Sequence, residues 1–303
     1  MSRRDASDVS ATSASSPTSI ASSWRRSTLS FREKFIDAHE THGVRVRQYA
    51  SRSAFDKAMG GITKRRARFD DDDDGDQTTR RDPVPETGFT VWDASALLGK
   101  YVGREDIWRR LVKNDDDDAS TRMTTTLELG AGTGLCTLLV ATSAAVREMA
   151  GLKSVACAMT DLPGVVEFTR ENARDNKAEN GGNVPTNVAL AVAALTWGDA
   201  SDVEKLPEAI RYPNVVLGAD LMYTMNVDVI RALAETTRML VLPGRVAVFA
   251  ACKEHRPESI EIFVEFMREF GFDVVRVPAS TAHPDLPASD DEFEILECWK
   301  RQK

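Results

Sequence analysis

Three glycines at alternate positions form the strongest indication of a ligand-binding site in this sequence. Gly130, Gly132 and Gly134 follow Glu128 in an acid-x-G-x-G-x-G pattern, between a predicted strand and a predicted helix. Such glycines let the backbone turn sharply and bring a ligand against main-chain N–H groups at a helix N-terminus. A dinucleotide-binding turn needs Gly or Ala where this chain has Leu135, and Glu128 would repel phosphates. We therefore expect a cationic ligand that the carboxylate of Glu128 can approach, with a purely structural turn as the alternative.

Two further side chains follow the next two predicted strands. Asp161 ends a strand just before Pro163 starts a helix, and an acid there can accept hydrogen bonds from both hydroxyls of a ribose. Trp197, beside Gly198 and beyond the third strand, can stack on a purine base, a contact worth about 1–3 kcal/mol. A helix cap and a core tryptophan are the respective alternatives. Because open parallel sheets bind ligands at the carboxyl ends of their strands, both residues are expected beside the glycine turn.

The fourth predicted strand ends in a segment that could hold an acceptor group. Ala219, Asp220 and Tyr223 lie there, and they border the same site if this strand neighbours the first. Asp220 can orient a cationic acceptor and Tyr223 can hydrogen-bond to it, with a helix cap and core packing as the alternatives. Trp92, just before a helical segment that Asp93 is expected to cap, can close over the ligand. Simple packing is the alternative for Trp92.

Seven predicted strands alternate with helical segments and would carry these residues to one edge of a sheet. The predicted strands are Thr125 to Leu129, Ser154 to Thr160, Asn187 to Ala193, Asn214 to Ala219, Arg245 to Ala251, Phe272 to Val277 and Phe293 to Cys298. The last two are joined without a helix, which implies a terminal hairpin. The predicted fold is therefore α/β, a Rossmann-like doubly wound sheet of order 3-2-1-4-5-7-6. Its last strand is antiparallel, and helices cover both faces.

Composition divides the chain of 303 residues into three parts. Residues 1–30, rich in Ser, Thr and Ala, are predicted to be a disordered tail, and a transit peptide is the minority alternative. Residues 31–84 form an N-terminal extension with a strand predicted at Val44 to Tyr49 and a linker of basic and then acidic residues. Residues 85–303 are the predicted functional domain, in which the acidic run Asp115 to Asp118 is expected to be a surface loop.

Charge and composition limit the classes of partner. The net charge of -8 argues against general affinity for nucleic acid or anionic membranes, and no run of eighteen apolar residues suggests a membrane span. The four cysteines form no C-x-x-C pair and are predicted to be buried, reduced thiols. No histidine spacing suggests a metal site, and no metal is expected. The sequence predicts a cytoplasmic monomer, and the basic cluster gives a weak nuclear signal.

Five stretches together resemble the methyltransferase-like family of seven-strand protein-lysine methyltransferases. They are VWDASALLGKYV, LELGAGTGL, TDLPGVVEF, LTWGD and GADLMY, in the family's order, so the resemblance spans about residues 85–300. It implies S-adenosylmethionine as cofactor and a protein lysine as acceptor. The cofactor positions that it implies are Trp92, Gly130, Ala131, Gly132, Asp161, Trp197 and Ala219, and Glu128 belongs to the same first motif. Asp220 and Tyr223 match the family's D-x-x-Y motif at the acceptor site.

The family's targets include chaperones, ATPases and translation factors, so the resemblance implies a protein partner of that kind. Two alternatives stay open on the sequence alone. One keeps the cofactor but changes the acceptor to a histidine, another nitrogen or a small molecule. The other is a cofactor-binding scaffold without turnover, although Glu128, Asp161 and Asp220 are all present.

Overall fold

A computed structural model describes residues 34–37, 44–48, 86–113, 123–253, 256–284 and 288–302. A seven-stranded sheet forms its centre. The strands of this sheet are β3 (Thr124–Leu129), β4 (Val155–Asp161), β5 (Val188–Ala194), β6 (Val215–Ala219), β7 (Val246–Cys252), β8 (Phe272–Pro278) and β9 (Phe293–Lys300). Their order is β5-β4-β3-β6-β7-β9-β8, with β9 antiparallel to both neighbours and the other pairs parallel. The predicted order 3-2-1-4-5-7-6 with an antiparallel last strand is confirmed.

Helices cover both faces of this sheet. They are α1 (Asp93–Val102), α2 (Glu105–Val112), α3 (Leu135–Thr142), α4 (Ala144–Ala150), α5 (Pro163–Asn176), α6 (Ala200–Lys205), α7 (Glu208–Arg211), α8 (Val227–Leu240) and α9 (Pro257–Glu269). Successive residues of β6 point to opposite faces, as in any strand. Val215 and Leu217 pack in one core with α1 to α4, whereas Val216 packs in a second core with α6 to α9. The buried strands therefore read as continuous apolar runs.

The helix α1 differs from the prediction at its start. Asp93 was expected to cap it, but the cap position is Trp92, which makes no side-chain capping bond, and Asp93 is the first helical residue. Asp93 instead places its carboxylate in the first turn, where the helix dipole favours a negative charge. The predicted inward face is confirmed, because Leu97, Leu98 and Tyr101 are buried.

A partly buried polar cluster fixes α1 and α2 to β9. The hydroxyl of Tyr101 donates to Glu297, and Arg110 donates to both oxygens of the same carboxylate at 2.7 and 2.6 Å. Burial alone would disfavour the charged form of Glu297, but the hydrogen bonds from Arg110 and Tyr101 outweigh it and lower its pKa. The cluster holds the helix that begins beside Trp92 in a fixed place on the sheet.

Two short antiparallel strands, β1 (Lys34–Asp37) and β2 (Arg45–Gln48), lie before the main sheet in the chain. Two asparagines of α5 act as the partner of β2: Asn172 accepts from the N–H of Arg47 at 2.9 Å, and Asn176 accepts from the N–H of Arg45 at 3.0 Å. Their amide groups donate back to the carbonyls of the same two residues. The predicted strand is thus present, and Val46 on its inward face is fully buried.

Several predictions lie outside the described residues: the tail at 1–30, the basic and acidic linker, and the acidic run at 115–118. Within the described part of the chain, none of the helices combines the length and the apolar character needed to cross a membrane. The described residues also contain no group of three or more His, Cys, Asp or Glu side chains placed to hold a metal ion. All four cysteines are free thiols, and Cys252 is half-buried whereas the other three are buried.

Candidate active site

In the glycine turn between β3 and α3, the backbone packs so closely against neighbouring residues that side chains would not fit at Gly130 and Gly132. Gly130 and Gly132 have φ values of +56° and +51°, which L side chains rarely adopt. A Cβ at Gly130 would lie 2.6 Å from Leu221 and 3.1 Å from the indole of Trp197. A Cβ at Gly132 would lie 3.0 Å from the carbonyl oxygen of Gly88. The turn therefore presents bare main chain, including that of Ala131, as one wall of a cavity.

Glu128 lies behind this turn, which corrects the expected approach of its carboxylate to the ligand. It is buried and does not line the cavity. Its Oε2 accepts hydrogen bonds from the backbone N–H of Thr137 at 3.0 Å and from the hydroxyl of the same residue at 2.6 Å. Burial raises the pKa of Glu128 to about 7, although these hydrogen bonds oppose the rise. The side chain ties the end of β3 to the first turn of α3, so it shapes the glycine turn from beneath.

Asp161 ends β4 and joins the glycine turn directly. Its Oδ2 accepts from the N–H of Gly132 at 2.7 Å, and its Oδ1 accepts from the N–H of Leu162 at 2.7 Å. Burial raises the pKa of Asp161 to about 6 against the effect of these two bonds, so the group is ionised above that pH. Each oxygen of an ionised carboxylate can accept a second hydrogen bond. The capping alternative does not hold, because the cap position of α5 is Leu162.

Trp197 follows β5 and lies against the glycine turn rather than inside the core. It is half-buried and lines the cavity. The next residue, Gly198, has a φ of +84° and donates its N–H to the hydroxyl of Thr236 at 2.8 Å, which fastens the loop to α8. The indole is therefore held at the carboxyl edge of the sheet.

Asp220, directly after β6, has an unusual backbone. Its φ of +56° makes it the one non-glycine residue with positive φ in the described part of the chain. Two contacts with β7 hold it there: its N–H donates to Ala250 at 2.8 Å, and its Oδ1 accepts from the N–H of Cys252 at 3.1 Å. Asp is among the few residues that tolerate this conformation, at a cost of order 1 kcal/mol. In this strained conformation the carboxylate of Asp220 lines the cavity beside Ala219.

Tyr223 is the one exposed residue among those that line the cavity, so it marks the entrance, and the 3-10 turn Glu86–Phe89 contributes the neighbouring lining residues Thr87 and Gly88. The indole N–H of Trp92 donates to the carbonyl of Thr87 at 3.0 Å, and the side chain of Thr87 lies close enough to the phenol of Tyr223 to lower its pKa in part. Burial raises the pKa of Tyr223, and the negative charge of Asp161 adds to the rise. At 39 % exposure Tyr223 does not serve as core packing.

All of the predicted site residues except Glu128 line this one cavity of about 330 Å³. Sequence reasoning missed several other lining residues: Thr87, Thr90, Ser95, Thr133, Val229 and Ala232. Val229 and Ala232 lie three positions apart on α8, so the helical period alone could have placed them on one face. Nothing in their residue types marks them as ligand contacts. Thr87 lies four positions before Val91, where the stretch VWDASALLGKYV begins, and carries no signal of its own.

A sequence model described as that of a lysine methyltransferase family matches residues 73–270, which is more than half of the chain. The chain belongs to the lysine methyltransferase family. The family and its class I fold imply S-adenosylmethionine as the cofactor.

Solved structures share this fold at low sequence identity. An O-methyltransferase family protein from Burkholderia thailandensis is 12 % identical with a TM-score of 0.42, over 83 % of this chain and 60 % of that one. The carbon methyltransferase DszA is 16 % identical with a TM-score of 0.47, over 71 % of this chain and 57 % of that one. The methyltransferase thus spans less than two thirds of the length of either protein. No curated protein matches its sequence significantly.

The cavity of the methyltransferase fits a ligand with the chemistry of S-adenosylmethionine. Its volume lies in the range of small-molecule pockets. The floor is main chain without side chains at Gly130 and Gly132, and the carboxylate of Asp161 has acceptor capacity left over from its two backbone bonds. Asp220 adds a second carboxylate to the lining, so the site suits a ligand that is a cation and not a phosphate.

Proposed function

We propose that this methyltransferase transfers a methyl group to the side-chain nitrogen of a lysine in a protein substrate. The observation that carries the proposal is the carboxylate of Asp220, kept on the cavity wall in a strained backbone conformation, with the phenol of Tyr223 at the entrance. A negative charge there selects an acceptor that arrives as a cation, and a lysine ammonium is such a group. The family match supports the same acceptor.

We infer the following roles for the residues that would hold the cofactor. Asp161 accepts hydrogen bonds from the ribose hydroxyls, Trp197 faces the adenine ring, and the main chain from Gly130 to Gly132 lies against the adenosyl group. Trp92 closes over the methionine end of the cofactor. When bound, S-adenosylmethionine supplies a sulfonium methyl group that a neutral amine can attack.

The acceptor nitrogen has to lose a proton before it attacks. A free lysine has a pKa near 10.4, so only about one in a thousand is neutral at pH 7.4, which corresponds to about 4 kcal/mol. Asp220 holds the arriving ammonium and fixes the direction of its nitrogen, and Tyr223 orders it by a hydrogen bond. Partial removal from water at the buried end of the cavity lowers the lysine pKa, whereas the negative charge of Asp220 raises it. The ammonium releases its proton to solvent water before the neutral nitrogen attacks.

Transfer of a labelled methyl group from S-adenosylmethionine to the proteins of a cell extract tests this proposal. Mass spectrometry of the labelled proteins should find the methyl group on lysine, and the Asp220→Asn enzyme should label the same proteins about 100-fold more slowly. Labelling on histidine, or only in the small-molecule fraction, would replace the lysine proposal with one of the two other acceptors. Absence of any transfer by an enzyme that binds the cofactor would support the scaffold alternative.

A further inference from the structure

An exposed apolar rim lies beside the cavity entrance, formed by Tyr223, Met225 and Val227. Their exposed fractions are 39 %, 46 % and 46 %. Within the described residues only seven large hydrophobic side chains are exposed to this extent, and three of them fall in this stretch of five residues. Isolated exposed apolar residues are normal, but a contiguous group marks a surface that another molecule covers.

The rim is held in place by its own hydrogen bonds. The buried hydroxyl of Ser259, in the first turn of α9, donates to the carbonyl of Thr224 at 2.6 Å and lies 3.3 Å from the sulfur of Met225. Asn226 donates its N–H to the hydroxyl of Thr224 at 3.0 Å and accepts from the N–H of Asp228 at 3.0 Å. The loop backbone is therefore fixed to α8 and α9, and the sulfur of Met225 rests on α9 while about half of its side chain stays exposed.

The rim extends from the part of the active site where the acceptor would bind to the protein surface. Tyr223 belongs to both the rim and the cavity lining, whereas Met225 and Val227 do not line the cavity. A molecule that fits inside the cavity leaves those two side chains in water. A carboxylate stands at each end of the rim, with Asp220 inside the cavity and the exposed Asp228 beside Val227. Residues 220–228 thus combine exposed apolar side chains with two carboxylates and contain no Lys or Arg.

We propose that the rim is the docking surface for the segment of the substrate protein that carries the acceptor lysine. The segment places an apolar side chain on Met225 and Val227 while its lysine enters the cavity toward Asp220. Met and aromatic residues are enriched at such interfaces, and the two carboxylates favour a basic segment. This proposal rests on the proposed function, because it assigns the acceptor to a macromolecule with surface outside the cavity.

The test compares Met225→Ser and Val227→Ser with a matched control, Val275→Ser. Val275 is exposed to 49 % and lies on β8, which β7 and β9 separate from β6. The probe is labelled methyl transfer to the proteins of a native cell extract at limiting concentration. Each rim variant should lower the initial rate about tenfold, the loss expected when an interface loses one well-buried apolar side chain. The control should keep the wild-type rate.

Two further measurements complete the experiment. Cofactor affinity of the rim variants, by calorimetry, should stay within about twofold, and their melting temperatures should fall within about 2 °C of the wild type, as for exposed sites. Wild-type rates in both rim variants, or an equal loss in Val275→Ser, would overturn the docking surface. A large fall in melting temperature would also overturn it, because the rim would then be covered by the chain itself.

The same experiment separates failure of this proposal from failure of the proposed function. If lysines are labelled and the rim variants remain fully active, the acceptor assignment holds and the docking surface is wrong. If another protein residue is labelled and the rim variants lose activity, the docking surface holds and the lysine acceptor is wrong.

Discussion

The backbone N–H of Gly132 donates a hydrogen bond of 2.7 Å to Oδ2 of Asp161. This bond joins the turn after β3 to the end of β4, so the two parts of the sequence that suggest a nucleoside site are in direct contact. The other oxygen of Asp161 accepts from Leu162, also at 2.7 Å. The carboxylate is thereby oriented before any ligand arrives, and a preorganised acceptor loses less entropy on binding.

Asp161→Ala should remove most of the cofactor affinity. At 100 times its dissociation constant, S-adenosylmethionine should stabilise the wild type by about 2.7 kcal/mol and raise its melting temperature by about 5 °C. Loss of two hydrogen bonds to a charged group should weaken binding by about 100-fold or more and largely abolish that shift. Asp161→Asn retains one acceptor oxygen and should give an intermediate shift. An unchanged shift in Asp161→Ala would place the ribose elsewhere.

Asp220→Asn should separate chemistry from cofactor binding. Asn also tolerates positive φ, and its side-chain oxygen can still accept from the N–H of Cys252, so the fold should be kept. Loss of the negative charge should lower the rate of methyl transfer by about 100-fold, with cofactor affinity within about twofold in calorimetry. Asp273→Asn is the control, since this exposed aspartate pairs with Arg301 on the far edge of the sheet. Full activity in Asp220→Asn would move the acceptor site.

Glu128 should make the protein less stable as the pH rises. Because burial raises its pKa to about 7, above the unfolded value near 4.5, the folded state binds an extra proton between these pH values. Its contribution to stability is full below about pH 4.5 and is lost as the pH rises through 7, at a cost of about 3 kcal/mol. Urea unfolding at pH 5 and pH 8 should show a smaller fall for Glu128→Gln than for the wild type. Equal falls would mean that Glu128 does not carry this proton.

The fold was predictable because its signals are local. The glycine turn, the apolar runs and the helix starts each determine one element, and the sheet order follows from alternating strands and helices with a final hairpin. Asp161, Trp197 and Asp220 could be placed at one edge for the same reason, since parallel strands end at one edge. The positions of these three residues at strand ends were enough to predict that they line one ligand site.

The remaining contacts depend on tertiary packing that no spacing encodes. Glu128 belongs to the glycine motif, but whether its side chain points to the ligand or to Thr137 depends on how α3 packs on β3. The pairing of Asn172 and Asn176 with β2 joins residues more than 120 positions apart, as the separations of 125 and 131 show. The contact of Thr87 with Tyr223 likewise joins two loops that are far apart in the chain, and neither loop contains a motif that predicts the other as its partner.

The closeness of the Thr87 side chain to the phenol of Tyr223 should make their substitutions non-additive. Both residues line the cavity entrance, and the carbonyl of Thr87 is fixed by the indole of Trp92. If Thr87 orients the phenol toward the acceptor nitrogen, Thr87→Val and Tyr223→Phe should each lower the transfer rate by about tenfold, and the double variant should be no slower than either one. Thr87→Ser keeps the hydroxyl and should restore the wild-type rate. Transfer rates measured at saturating cofactor in all four variants test this coupling. If the rate of the double variant falls by the product of the two single losses, the two residues act independently.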